Sequence, residues 1–168
     1  MQKILIENLN LLYDKHIQKL CKLKYRGHKD GCPNYGKLNN CPPKIPLIDK
    51  LVDIKSECKF LGVEFDLKSH REKLREKHPD WSEWKLGCLL YWQNKVNKEL
   101  YRITKEYLKE NINKSFVAIK KPEAYGINIT RMLYNNGFQL DWKHPLNKIV
   151  KGVLITKPLN KSNEGKLI

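Results

Sequence analysis

A chain of 168 residues with 40% apolar content can bury one ordinary core and calls for no second domain. Its first fifteen residues mix Ile and Leu with Lys3, Glu7, Asp14 and Lys15, which is not the unbroken apolar run of a signal peptide, and no later stretch approaches a membrane span. The expectation is a soluble, intracellular protein of the cytoplasm. A formal charge of +15 attracts phosphate in general, but Lys outnumbers Arg by 28 to 5 and mixes with Glu in runs such as 71–77. That is the pattern of solvated helix faces, not of a surface selected for bidentate phosphate contacts.

Residues 3 to 20 place Ile4, Leu5, Leu9, Leu12, His16, Ile17 and Leu20 near helical spacing, which predicts an amphipathic helix leading into Cys21. A short strand is the alternative for its first residues. Residues 21 to 46 are turn chemistry, closed by Cys41-Pro42-Pro43 and Pro46, after which Leu47 to Ile54 is expected as a short helix. Phe60 to Phe65 alternates and is rich in strand formers. Asp66 stands at a helix N-cap position, and 67 to 77 reads as a charged helix stopped by His78-Pro79.

The longest helix is predicted from Asp80, where Asp80-Trp81-Ser82-Glu83 resembles a capping box, to about Lys109. Its stripe of Trp84, Cys88, Trp92, Val96, Leu100, Ile103 and Tyr107 would turn Cys88 inward. Ser115 to Ile119 and Ile149 to Thr156 are strand candidates, separated by a helix beginning at Pro122-Glu123-Ala124 and ending near Asn135-Asn136-Gly137. The sum is an α+β fold: a single small domain over residues 1–157 with a long central helix, a small sheet and a cysteine-rich metal-binding loop. A polar, flexible tail is expected over 158–168.

Five cysteines, an odd number, argue in a reducing compartment against a disulfide framework and toward metal or redox chemistry. Cys21, Cys32 and Cys41 lie in a segment with no hydrophobic periodicity of its own, which needs a staple to hold its shape. Gaps of ten and eight residues, without any Cys-x-x-Cys pair, differ from zinc fingers and from the close-set ferredoxin run. A fourth ligand must come from elsewhere in the fold, and Cys88 is the natural candidate. Four thiolates can hold one zinc ion or an iron–sulfur cluster; separate, widely spaced ligands favour the bulkier cluster.

Other residues have plainer readings. Cys58 is expected to be an ordinary semi-buried thiol, and His28, although between two cysteines, an exposed side chain rather than a ligand. His16, His70, His78 and His144 are expected to be structural or solvent-facing, and Trp81, Trp84 and Trp92 to be core or shielding rather than a base-stacking platform. Asp66 and Glu123 are the acidic residues whose context invites a proton-transfer role, but neither has a visible partner. Pro122, Glu123 and Gly126 read as a tight helix-to-loop junction rather than an anion cradle.

The stretch Tyr25-Arg-Gly-His-Lys-Asp-Gly-Cys32-Pro-Asn-Tyr-Gly-Lys37 with Cys41-Pro-Pro, followed by Lys77-His-Pro-Asp-Trp-Ser82, Cys88, Tyr91-Trp-Gln93 and Pro122-Glu-Ala-Tyr-Gly-Ile-Asn-Ile129, resembles a family of uncharacterised small proteins predicted to bind metal through cysteines. The resemblance implies Cys21, Cys32, Cys41 and Cys88 as ligands and leaves Cys58 outside the set. It supplies no reaction. The expected function is therefore metal binding, with a 4Fe-4S iron–sulfur cluster on these four cysteines serving structure, electron transfer or sulfur chemistry. The alternative is a zinc-stapled basic module that binds nucleic acid. No redox partner or substrate is named by the chain, and no membrane partner is expected.

Overall fold

Alternating aliphatic residues build a four-stranded antiparallel sheet in the computed structural model, which describes residues 1–24, 28–141 and 146–168. Tyr25, Arg26 and Gly27 of the first motif, and His144, lie outside the described residues. The strands are β1 (Gln2–Leu9), β2 (Cys58–Asp66), β3 (Val117–Lys120) and β4 (Lys148–Thr156), in the order β1-β2-β4-β3. Strand β2 is apolar on both sides because both faces of the sheet are covered. Phe60, Val117, Ile119 and Leu154 pack beneath Ile45, Ile48, Tyr125 and Met132, while Leu61, Val63, Val153 and Ile155 meet Trp92, Val96, Ile103 and Tyr107 from the longest helix. The result is an α+β domain with a central sheet between two covering layers.

The amino-terminal helix expected over 3–20 does not form. Ile4 and Ile6 alternate with outward-facing neighbours and pair with Gly62 and Phe60, so β-branched residues and partner strand outweigh the helical spacing and the strand alternative holds. Helical geometry begins only at Lys15–Lys22, a 3-10 helix capped by Asp14, whose Oδ1 accepts from the His16 N–H at 2.8 Å. Leu47 to Ile54 likewise yields just a 3-10 turn over Ile48–Lys50, after which Val52 bridges to Pro158.

Helix α1 (Leu67–Lys77) has the expected limits: Asp66 Oδ1 accepts from the Ser69 N–H at 2.9 Å, and His78 ends it. The predicted helix from Asp80 is broken into α2 (Glu83–Leu86), a 3-10 turn (Leu89–Tyr91) and α3 (Gln93–Glu110). Ser82, not Asp80, is the cap, and α2 stops after one turn at Gly87. The stripe is therefore continuous only from Trp92 onward. Trp92 is buried and stacks on Phe65 at 5.7 Å between ring centroids, whereas Trp84 is 69% exposed.

The helix expected from Pro122 is also split. A 3-10 turn (Pro122–Tyr125) ends at Gly126, and α4 (Ile129–Asn135) restarts with Asn128 as its cap and closes at Asn136 and Gly137 as expected. At the carboxyl end, residues 165–168 run along β3, with the Ala118 N–H donating to the Lys166 carbonyl at 2.9 Å and the Ile168 N–H to the Ala118 carbonyl at 2.7 Å. Among the described residues, no helix is long and apolar enough to cross a membrane.

Candidate metal centre

Cys21 sits near the end of the Lys15–Lys22 helix, and that helix is pinned to the 122–126 segment at its N-cap and its middle. The Asp14 N–H donates to the Gly126 carbonyl at 2.8 Å, and Gln18 Nε2 donates to the Ala124 carbonyl at 2.7 Å. The chain then returns so that the Cys32 N–H donates to the Cys21 carbonyl at 2.7 Å. Gly31 makes this approach possible. Its φ is +83°, and a Cβ there would stand 2.7 Å from the Cys21 carbonyl oxygen and 2.8 Å from the Lys22 carbonyl carbon. The third cysteine is tied in by the Gly36 N–H, which donates to the Pro42 carbonyl at 2.8 Å, while the Cys41 carbonyl accepts from Lys44 and Ile45. A loop with no periodicity thus presents three cysteines through its own backbone hydrogen bonds.

All five cysteines are free thiols, with Cys41 buried and Cys21 and Cys32 half-buried. Burial raises the pKa of Cys21 above the ordinary thiol value, and the negative charges of Cys32, Cys41 and Glu123 raise it further. Three thiols and a carboxyl therefore share one neighbourhood, in which a Cys21 thiolate is disfavoured until a bound cation offsets its charge. Among the described residues, no three His, Cys, Asp or Glu side chains converge closely enough to hold a single metal ion. The donor set nonetheless suits a soft metal in type, being three thiols on adjoining turns.

Cys88 stands elsewhere. The sequence expectation placed it inward on the long helix; it is half-buried at the break between α2 and α3, as the N-terminal flank of the Leu89–Tyr91 turn. Gly87 interrupts the helix just before it, so it does not share the continuous face that Trp92 and Val96 present to the sheet. The groups that act on the Cys21 thiol are Cys32, Cys41 and Glu123, so the described residues bring together the three loop cysteines and not Cys88.

The remaining candidates resolve into structural roles. Cys58 is fully buried, more so than expected, and burial pushes its thiol up to about 12, leaving it without thiolate character. His28 is exposed. His70 packs against Phe65 with Nε2 buried and unpartnered among the described residues, and burial together with Lys95 and Lys73 lowers its pKa. His78 stacks on Trp81 at 4.0 Å, and Lys85 lies 4.1 Å over the same Trp81 ring. Asp66 is a helix cap. Glu123 keeps a solvent-facing rim, but the protein crowded around its carboxyl raises its pKa. Gly126 is a tight junction, since a Cβ there would meet Leu47 and Tyr13 at 3.2 Å. Sequence reasoning missed Gln18 and Gly31; a glycine beside a cysteine in a turn was the available signal for the latter.

A family model described as predicted metal-binding protein (DUF2284) matches residues 11–122. That span contains Cys21, Cys32, Cys41, Cys58 and Cys88 and ends at the turn supporting the cysteine loop. No curated protein and no solved structure matches the chain.

Proposed function

We propose, on the premise that this chain belongs to the predicted metal-binding protein family whose model it matches, that its Cys21, Cys32, Cys41 and Cys88 thiolates hold a 4Fe-4S iron–sulfur cluster. The observation that carries this reading is the backbone-tied arrangement of the three loop cysteines, in which Cys32 and Cys41 act electrostatically on Cys21. Cysteines on separate turns rather than in a paired knuckle favour a group larger than one ion. Cys88 enters the set on the ligand pattern that the family resemblance implies, as a half-buried thiol within the matched span, whereas Cys58 is fully buried.

A cluster held by four thiolates supplies one-electron chemistry or a structural cross-link when bound. The protein's part is to present the thiolates, to hold the loop against the Pro122–Tyr125 turn through Gln18, and to shield the group with partly buried surroundings. Free thiols in this number also fit a reducing, cytoplasmic setting. Anaerobic purification followed by iron, sulfide and zinc analysis with a visible spectrum tests the reading. Iron and sulfide in equal amounts with broad visible absorption is the expected result. A colourless protein with one zinc would overturn it in favour of the zinc-stapled basic module, whose nucleic-acid binding would fall steeply with salt.

A further inference from the structure

We infer that the cavity at the open edge of β4 is a binding site for a small organic anion: a carboxylate or phosphate carried on an apolar body. Strand β3 pairs with β4 only from Thr156 to Val153, so β4 continues from Gly152 toward Lys148 with no strand on that side among the described residues. α3 approaches this edge from one layer and α4 from the other, enclosing a cavity of about 660 Å³. That is the size range of pockets that take small organic ligands. The walls are apolar, with Leu100 from α3, Ile129 and Leu133 from α4, and Phe60 and Val150 from the sheet. Gly62 and Gly152 give Phe60 its place, since a Cβ on either would fall within 2.6 Å of its ring.

The rim fixes the sign of the ligand. Lys120, Lys121 and Lys151 line the cavity together with the single carboxylate of Glu123. Lys59, the buried lysine of β2, is matched by Glu7 and Glu57. None of the three cavity lysines has a carboxylate within ion-pair distance among the described residues, and Lys151 is held instead by Asn97, its Nζ donating to Oδ1 at 2.9 Å. Burial and the neighbouring charge of Lys121 push Lys151 below its ordinary value, the situation an anion would relieve. Lys121 also holds a left-handed backbone, φ +50°, a conformation that favours glycine. The inference does not depend on which metal the cysteines hold.

Calorimetric titration of the full chain with 4-phenylbutyrate and phenethyl phosphate, and with 4-phenylbutanol as the neutral analogue, tests this. At least one anion is expected to bind, tenfold or more tightly than the alcohol, and which of the two binds better identifies the headgroup. Lys151→Met should weaken the bound anion about tenfold and leave the alcohol unchanged, and Leu100→Trp should weaken all three by filling the cavity. Lys121→Gly keeps the test independent of folding defects: it relieves the backbone and should hold or raise the melting temperature while still weakening the anion. No binding of either anion at millimolar concentration, equal binding of the alcohol, or unchanged anion affinity in both folded lysine variants would overturn the inference.

Discussion

Replacing Gly31 by Ala places a methyl group against backbone that has no rotamer to turn aside. At φ +83° its Cβ would stand 2.7 Å from the Cys21 carbonyl oxygen and 2.9 Å from that of Lys22. The turn must shift, and the 2.7 Å hydrogen bond from the Cys32 N–H to Cys21 stretches or breaks. The left-handed backbone costs an alanine about 1 kcal/mol, and loss of the hydrogen bond costs about 1 kcal/mol more. Restriction of the unfolded chain offsets about 0.5 kcal/mol. With residual contact strain the net is about 2 kcal/mol, or about 30-fold in metal affinity if the site requires the native turn. Gly36→Ala separates the two causes, because Gly36 has φ +70° but nothing within 4 Å of its would-be Cβ. It should lose no more than about threefold, from the dihedral cost alone. Zinc titration of both metal-free variants against a chelator of known affinity reads the ratio, since thiolate sites accept zinc whatever their natural metal. Equal affinities for the two variants, or no loss in Gly31→Ala, would refute the claim that the Cys21–Cys32 approach shapes the site.

Asp66→Ala should lower stability in urea by about 1 kcal/mol through loss of the α1 cap. Hydrogen bonds from the Ser69 backbone and side chain hold the Asp66 carboxyl below the usual carboxylate range. The cap therefore stabilises above the unfolded-state value and is lost as pH falls through the folded one, so the variant should show a shallower acid dependence. Cys58 acts at the other end of the scale. Its contribution is complete below the ordinary thiol value of 9.0 and is lost as pH rises toward about 12, with a slope of about 1.4 kcal/mol per pH unit. Cys58→Ala should flatten that alkaline slope in denaturation curves; an unchanged slope would contradict the burial argument. Gly152→Ala would drive a Cβ to 2.1 Å from Phe60 Cζ, an overpacking cost of about 2 kcal/mol. Combined with Phe60→Leu, the two changes should fall short of additivity by about 1 kcal/mol in a double-mutant cycle.

Where local chemistry acts alone, the sequence was legible. Asp66 capping α1, His78-Pro79 stopping it and the Asn136-Gly137 helix end are each decided by neighbouring residues, and the strand formers of β2 marked it as a strand although burial of both faces leaves it without the expected alternation. Legibility failed where long-range pairing decided the outcome. Ile4, Leu5, Leu9 and Leu12 satisfied a helical spacing, but β2 supplied a partner that made β1 the better use of Ile4 and Ile6. The stripe from Trp84 to Tyr107 also matched one helix; there the missed signal was local, Gly87, which ended α2 and left Trp84 exposed.

For the site, cysteine spacing and turn composition singled out the loop, and the fold joins Cys21, Cys32 and Cys41 through it. Gln18 reaches Ala124, 106 residues on, and Glu123 acts on Cys21 from 102 residues away, separations no local pattern spans. The sheet-edge cavity had a faint trace in Gly62 and Gly152, glycines inside strands that mark a close approach.

The most direct test of the metal site compares iron and sulfide content in four anaerobically purified proteins: the unaltered chain, Cys32→Ala, Cys88→Ala and Cys58→Ala. The account predicts a full complement in the unaltered chain and in Cys58→Ala, and loss in Cys32→Ala and Cys88→Ala, with the fold retained by circular dichroism. Full iron and sulfide in Cys32→Ala or in Cys88→Ala, or their loss in Cys58→Ala alone, would contradict it.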